Sequence, residues 1–202
     1  MPKFKKDYRS GLHYAPKNVK MCQLASGASW ICGSILVKAA GQDNSTQWYS
    51  DGTVQIYPRA KVLSAADVAV SGVMASGANY NILGIATTDA PLNFMQTGNP
   101  VEIDNWFQNT DVFENLYIFG YVNDEMIWMP YSGATPNVGD WAIPSSGSDG
   151  YVEALSQSTN PDGYIIIGKI IQVSSGSEGP QVWTGSGPTP KCLVDPTYKR
   201  GW

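Results

Sequence analysis

Gly139-Asp140-Trp141-Ala142-Ile143 and Tyr164-Ile165-Ile166-Ile167-Gly168-Lys169-Ile170 are the stretches on which the fold of this chain turns. Each is short apolar strand material marked by a single glycine, and the residues between them form a tip rich in Gly, Ser, Asp and Asn. The same grammar occurs earlier, where Gly33-Ser34-Ile35-Leu36-Val37 opens a segment that closes on Tyr80-Asn81-Ile82-Leu83-Gly84-Ile85-Ala86. A glycine turn, an apolar strand, a polar tip and a β-branched return broken by one glycine are the parts of a small barrel or sandwich unit. The chain therefore reads as one β unit stated twice, with a longer excursion in the first copy.

Working outward, the remaining segments also read as strand and turn. Thr53-Val54-Gln55-Ile56-Tyr57 alternates at period two after the turn Ser50-Asp51-Gly52. Leu116 to Val122 and Met126 to Pro130 flank Asn123-Asp124-Glu125 and predict a hairpin of high β propensity. Only Glu102 to Asn115 spaces apolar residues as a helical turn would, with Ile103, Trp106 and Phe107 at i, i+3 and i+4. The expected fold class is all-β, a barrel or sandwich of short antiparallel strands with extended N- and C-terminal arms and little helix. The expected organisation is an arm over residues 1–28, a body over 29–183 with units at 29–90 and 116–183, and a linker and tail over 184–202.

Composition agrees with that class. A chain of 202 residues can bury roughly 70% of its unfolded surface without staples. Charged residues are 15% of the chain, against about 25% in an ordinary globular protein. No apolar run approaches the roughly 18 residues that span a bilayer, and the basic start Met1-Pro2-Lys3-Phe4-Lys5-Lys6 leads into no apolar signal core. The expectation is a chain that neither enters a membrane nor follows the standard secretory route. Cys22, Cys32 and Cys192 are odd in number and lack Cys-x-x-Cys spacing, which predicts buried free thiols and leaves one long-range pairing open.

The net charge of −4 conceals a division along the chain. Residues 1–20 carry Lys3, Lys5, Lys6, Arg9, Lys17 and Lys20 against Asp7 alone. The last twelve residues carry Lys191, Lys199 and Arg200 against Asp195, while the stretch between holds fifteen acids and four bases. A basic, Pro- and Gly-bearing arm buries too little apolar surface to fold by itself, and complementary charge would steer it onto an acidic neighbour. Lys3, Lys5, Lys6, Arg9, Lys17, Lys20, Lys199, Arg200 and the terminal Trp202 are accordingly the candidate partner-docking residues. Trp202 has two open readings, an anchor in a partner or a side chain folded back on its own barrel. An acidic body with a pI of about 4.9 repels phosphate, so nucleic acid is not the expected partner.

Catalytic patterns are missing from the sequence. His13 is the single histidine and lies in the presumed arm, where nothing fixes a base in place. No Gly-x-Ser-x-Gly, Gly-x-x-x-x-Gly-Lys-Ser/Thr or His-Glu-x-x-His motif occurs. Glu102, Asp104, Asp111 and Glu114 lie beside Trp106 and Phe107, but glycosidase chemistry needs an enforced carboxylate separation that spacing along a chain does not supply. Asp43, Asn44, Asp149 and Asp162 sit at turns outside any calcium-loop spacing, and turn formation accounts for them. The expectation is a non-enzymatic protein with no metal and no cofactor.

The segment Val138-Gly139-Asp140-Trp141-Ala142-Ile143-Pro144, the turn Gly147-Ser148-Asp149-Gly150-Tyr151-Val152 and the return Ile166-Ile167-Gly168-Lys169-Ile170-Ile171 together resemble the barrel unit of tailed-phage capsid decoration proteins. The likeness covers about 35 residues. It implies a virion structural protein, made in the host cytoplasm, that binds the major capsid protein or other virion proteins in many copies or as a homo-oligomer. Phage tail and head-fibre proteins use similar barrels, so the alternative it implies is a receptor-binding module for host-surface carbohydrate. No family site residues carry over, because such proteins act through surfaces and arms.

Overall fold

The computed structural model describes residues 19–25, 27–39, 45–48, 54–78, 81–90, 118–174 and 189–202. Among the described residues nine strands precede the link at 123–126: β1 (Lys20–Leu24), β2 (Ile35–Lys38), β3 (Ser45–Trp48), β4 (Val54–Tyr57), β5 (Arg59–Val62), β6 (Val68–Val70), β7 (Val73–Met74), β8 (Ile82–Ala86) and β9 (Ile118–Val122). Five follow: β10 (Ile127–Pro130), β11 (Trp141–Pro144), β12 (Val152–Leu155), β13 (Gly168–Val173) and β14 (Lys191–Asp195). Short 3-10 turns at Ala65–Asp67 and Pro196–Tyr198 are the helical pieces among the described residues. The fold is all-β, as its alternating apolar segments and turn residues require.

Strands β1, β5, β2, β8 and β9 close a barrel in that order, β9 pairing back onto β1. The β1–β5 pair is parallel and the other four are antiparallel. The second sheet runs β10-β14-β13-β11-β12, all antiparallel. Its two ends meet at a parallel bridge between Tyr131 and Val152, where Ser132 N donates to Val152 O at 2.9 Å. Taken in chain order, the two sheets have one topology: first with third in parallel, then third with second, second with fourth, fourth with fifth and fifth with first, all antiparallel. The protein thus repeats one five-stranded topology, closed as a barrel in the first unit and by that single bridge in the second.

The correspondence extends to single hydrogen bonds. Gly33 N donates to Ala86 O (2.9 Å) as Gly139 N does to Ile170 O (2.8 Å). Ala86 N returns to Ser34 O as Ile170 N returns to Asp140 O, both at 2.9 Å. Ala39 N to Arg59 O (2.9 Å) matches Ser145 N to Tyr151 O (3.0 Å), and Ala25 N to Ala60 O (2.8 Å) matches the Ser132 bond. Gly33 and Gly139 both sit at positive φ, +91° and +100°, in the turn that launches the second strand, a conformation that side-chain-bearing residues adopt at a cost. The glycines that mark the sequence repeat are thus structurally equivalent pairs.

The barrel interiors exchange volume rather than repeat it. Equivalent buried positions pair Cys22 with Met129, Leu36 with Ala142, Ala60 with Val152, Ala86 with Ile170, Phe119 with Cys192, and Tyr121 with Val194. Large residues of the first barrel face small ones of the second at three positions, and the reverse holds at the other three. A closed barrel of this size is filled by its own side chains, so what is conserved is total volume and not identity. Trp30 caps the first interior, its ring edge-on to Phe119 with centroids 5.4 Å apart.

Several expected boundaries are corrected. β9 and β10 do not form a hairpin; β9 closes the first barrel against β1 and β8, while β10 pairs with β14. Asn123-Asp124-Glu125 is instead the link between barrels, so the units are 20–122 and 127–195 rather than 29–90 and 116–183. The arm expected over 1–28 gives up Lys20–Leu24 to β1, whose partners lie far along the chain. The tail expected over 184–202 contains β14, which lies between β10 and β13 and buries Cys192, Leu193 and Val194. Residues 102–115, 181–183 and 1–18 lie outside the described residues.

All three cysteines are buried thiols outside any disulfide. Burial pushes the Cys22 and Cys192 thiols up to about 12 from an ordinary value of 9.0. In the unfolded chain these thiols ionise near 9, while in the folded chain they stay protonated, so above pH 9 the unfolded state holds fewer protons. Their contribution is complete below 9 and is lost as pH rises towards 12. Urea melts between about pH 8 and pH 11 are expected to show stability falling by about 1.4 kcal/mol per pH unit per thiol above the unfolded thiol pKa. A Cys22→Ala, Cys192→Ala double variant should flatten that descent; an unchanged slope would refute the assignment.

Candidate functional site

The two barrels are joined by a junction that uses different faces of each. On the first barrel it takes the turn Cys32–Ser34, the start of β2 and residues 62–72. On the second it takes β10, the β11–β12 turn and β14. Ile35 N donates to Gly150 O (2.9 Å), Gly150 N to Leu63 O (2.8 Å), and Gly72 N to Pro144 O (2.7 Å). Gly33 packs so tightly on β10 that a Cβ there would collide with the Trp128 carbonyl. Ile35, Val37, Ile85 and Val122 of the first barrel share one buried cluster with Met129, Val152, Ile170 and Val194 of the second.

Polar side chains at the junction are turned inward. Glu153 accepts hydroxyls from Ser71 (Oε2, 2.6 Å) and Ser145 (Oε1, 2.7 Å), and Ser71 also meets Ser146 at 3.0 Å. Ser145 Oγ in turn accepts Gly147 N at 2.9 Å, so these groups build the β11–β12 turn and tie it to the β6–β7 turn. Lys191, 2% exposed, donates from Nζ to Cys32 O at 2.9 Å, and Cys32 N donates to Asp89 Oδ1 at 2.6 Å. Burial drives the lysine pKa down, opposed by the nearby Cys32 and Asp89. These serines and Glu153 are held by one another and by backbone, which makes the network a tie between the β6–β7 and β11–β12 turns.

The C-terminal docking candidates are placed on the protein itself. Trp202 packs half-buried against the main core and donates Nε1–H to Ile166 O at 2.9 Å, so of its two readings the structure takes the folded-back one. Lys199 pairs with Asp124 and lies 5.1 Å from the Trp202 ring centroid. Arg200 Nη1 meets Asp162 Oδ1 at 2.7 Å, an exposed pair that solvent screens. Lys20 is exposed at the start of β1. Lys3, Lys5, Lys6, Arg9 and Lys17, with His13, Asp43, Asn44 and the carboxylates of 102–114, lie outside the described residues. Asp149 accepts Ala65 N at 2.7 Å, and Asp162 accepts Asn160 Nδ2 at 3.2 Å and Arg200 Nη1 at 2.7 Å while its own N–H donates to Asn160 Oδ1 at 3.1 Å, so both serve loops.

One surface feature escapes reading along the sequence. Trp141 on β11 and Tyr198 in the C-terminal 3-10 turn meet edge-on at 6.4 Å, and Lys169 Nζ lies 5.4 Å and 5.6 Å from their ring centroids. Tyr198 is 52% exposed. The β11–β13 register brings Trp141 opposite Lys169; Tyr198, some thirty residues further on, carries no local signal of this neighbourhood. Among the described residues no group of three His, Cys, Asp or Glu side chains is arranged to hold a metal ion, and no helix is long and apolar enough to cross a membrane. Comparison of the chain with protein-family models, with curated proteins and with solved structures finds no match.

Proposed function

We propose that this chain is a non-enzymatic structural protein of a virus particle, a decoration protein that binds and stabilises a capsid shell through the major capsid protein or its neighbours. The supporting observation is the duplicated barrel itself. Two units of one topology are locked by a buried junction whose polar groups are spent on internal bonds, which makes a rigid body suited to holding binding surfaces at fixed separation. The basic residues Lys3 to Lys17 precede β1 and join a body dominated by acids, so one segment supplies attraction while the barrels supply bulk. Many weak contacts of this kind reach high avidity on a repetitive surface.

The test is sedimentation with shells lacking the protein. Deleting residues 1–18 should leave the barrels folded by circular dichroism and reduce shell binding at least tenfold, with a salt dependence that the truncated chain lacks. Undiminished binding of the truncated chain would overturn the role given to the basic segment. Copy number per purified particle separates a shell protein, present in hundreds, from a tail or fibre component.

A second reading, a carbohydrate-binding module of a tail or fibre, is favoured by the Trp141–Tyr198–Lys169 surface, since stacked aromatics with a polar neighbour suit a sugar ring. Host-surface glycans that quench tryptophan fluorescence in the parent chain and not in Tyr198→Ala would establish it. No quenching by any glycan would exclude it.

A further inference from the structure

The junction between the barrels joins unlike faces of like units. Such an arrangement is heterologous, and repeating it produces a row of subunits rather than a closed pair. The duplication shows which surfaces a third and a preceding barrel would use, because the Cys32–Ser34 turn and the β10 strand that meet at the junction both have equivalents in the other barrel. On the first barrel the buried turn and its neighbour are Cys32 (1% exposed) and Thr87 (5%); their equivalents on the second are Val138 (63%) and Ile171 (36%). On the second barrel the buried strand position is Trp128 (6%); its equivalent on the first is Met21 (45%).

Three of the six exposed large hydrophobic side chains among the described residues therefore occupy the two open counterparts of the internal junction. Gly139 presents the same positive-φ turn as Gly33, the residue that admits the Trp128 carbonyl. The Val138–Gly139 turn thus has the apolar side chains and the glycine conformation that a β1 strand carrying Met21 would require at the place where β10 sits on the first barrel, and the amide end of the Gln157 side chain, which lies over Gly139, would swing aside to admit it.

We infer that the occupant of these faces is a second copy of this chain, added head to tail, with the Val138–Ile171 end of one protein on the Met21 end of the next. The inference goes beyond shell decoration and does not depend on it, since the isolated protein is enough to test it. Contact along the row would continue an interface already present within each chain, which is how tandem repeat units extend.

The experiment is sedimentation velocity of the full chain over a concentration series, beside Met21→Glu and Val138→Asp, each checked for native circular dichroism. The parent chain is expected to form species larger than monomer as concentration rises, and each variant alone to remain monomeric. Mixing the two variants should restore a species of two chains and no larger, because one intact Val138 end and one intact Met21 end remain. A parent chain that stays monomeric throughout, association that survives either substitution, or a mixture that stays monomeric would overturn the proposal. Shell binding that is lost while association persists would leave this inference standing and remove the decoration reading.

Discussion

Gly84→Ala and Gly168→Ala are each expected to cost about 3 kcal/mol or more of folding stability, a large part of what a domain has. The two glycines are equivalents, each on the fourth strand of its barrel and each opposite the second residue of the strand beside it, Leu36 and Ala142. A Cβ on Gly84 would collide with the Val122 carbonyl, and one on Gly168 with the Asp195 carbonyl. These are backbone atoms of the neighbouring strand, so no side-chain rotation relieves the overlap and the barrel wall itself must move. Because one buried cluster spans both barrels, both variants should lower a single cooperative transition in urea. Two separated transitions, with only one displaced by Gly168→Ala, would show that the barrels unfold independently.

Lys191→Glu is the second large effect, with an expected loss of about 3–5 kcal/mol, the range for a buried charge without a partner. The parent amine gives a hydrogen bond to the Cys32 carbonyl near Asp89; a carboxylate there faces an acceptor and a second acid, and burial opposes its ionisation. Lys191→Met keeps the aliphatic stem and gives up one hydrogen bond, so its cost should stay near 1 kcal/mol. The pair also differs from the parent in pH response. Because burial lowers the folded lysine pKa below 10.5, the folded state binds fewer protons in that window, and this group's contribution to stability rises with pH towards 10.5, offsetting part of the fall from the Cys22 and Cys192 thiols above 9. Lys191→Met should therefore fall more steeply than the parent in urea melts across the window; an unchanged slope would place the response on another group.

The legible part of the fold was the part written in neighbouring residues. Ile35 to Val37, Trp141 to Ile143 and the return Ile82 to Ile85 fall in strands as read, the second return enters its strand only at Gly168 after Tyr164 to Ile167, and the repeated glycines mark equivalent turns and close approaches. What misled was adjacency. Leu116 to Pro130 has the residues of a hairpin, yet its halves lie in different barrels, because the link is pinned by Lys199 on Asp124 instead of closing a ladder. Lys191 to Val194 follows a Gly- and Pro-rich stretch and reads as tail, although the second sheet needs it as a central strand. Of the candidate docking residues, Trp202 and Lys199 are engaged within the chain, through partners more than thirty and seventy residues away respectively.

By itself the sequence determined that this protein is built of short strands with glycine-marked turns, that it is divided into an acidic body and basic ends, and that a unit occurs twice. Those properties are local, fixed by period-two alternation, turn conformation and composition. Only the tertiary structure decided that the two units are barrels of one topology, each closed by pairing its first strand with its third and fifth. It also decided that they join through unlike faces, leaving Met21 at one end and Val138 and Ile171 at the other. The reason is physical. Barrel closure and junction formation depend on partners far apart along the chain, and interiors that trade Phe119 for Cys192 and Ala86 for Ile170 preserve filled volume while erasing the residue identities by which a repeat is read.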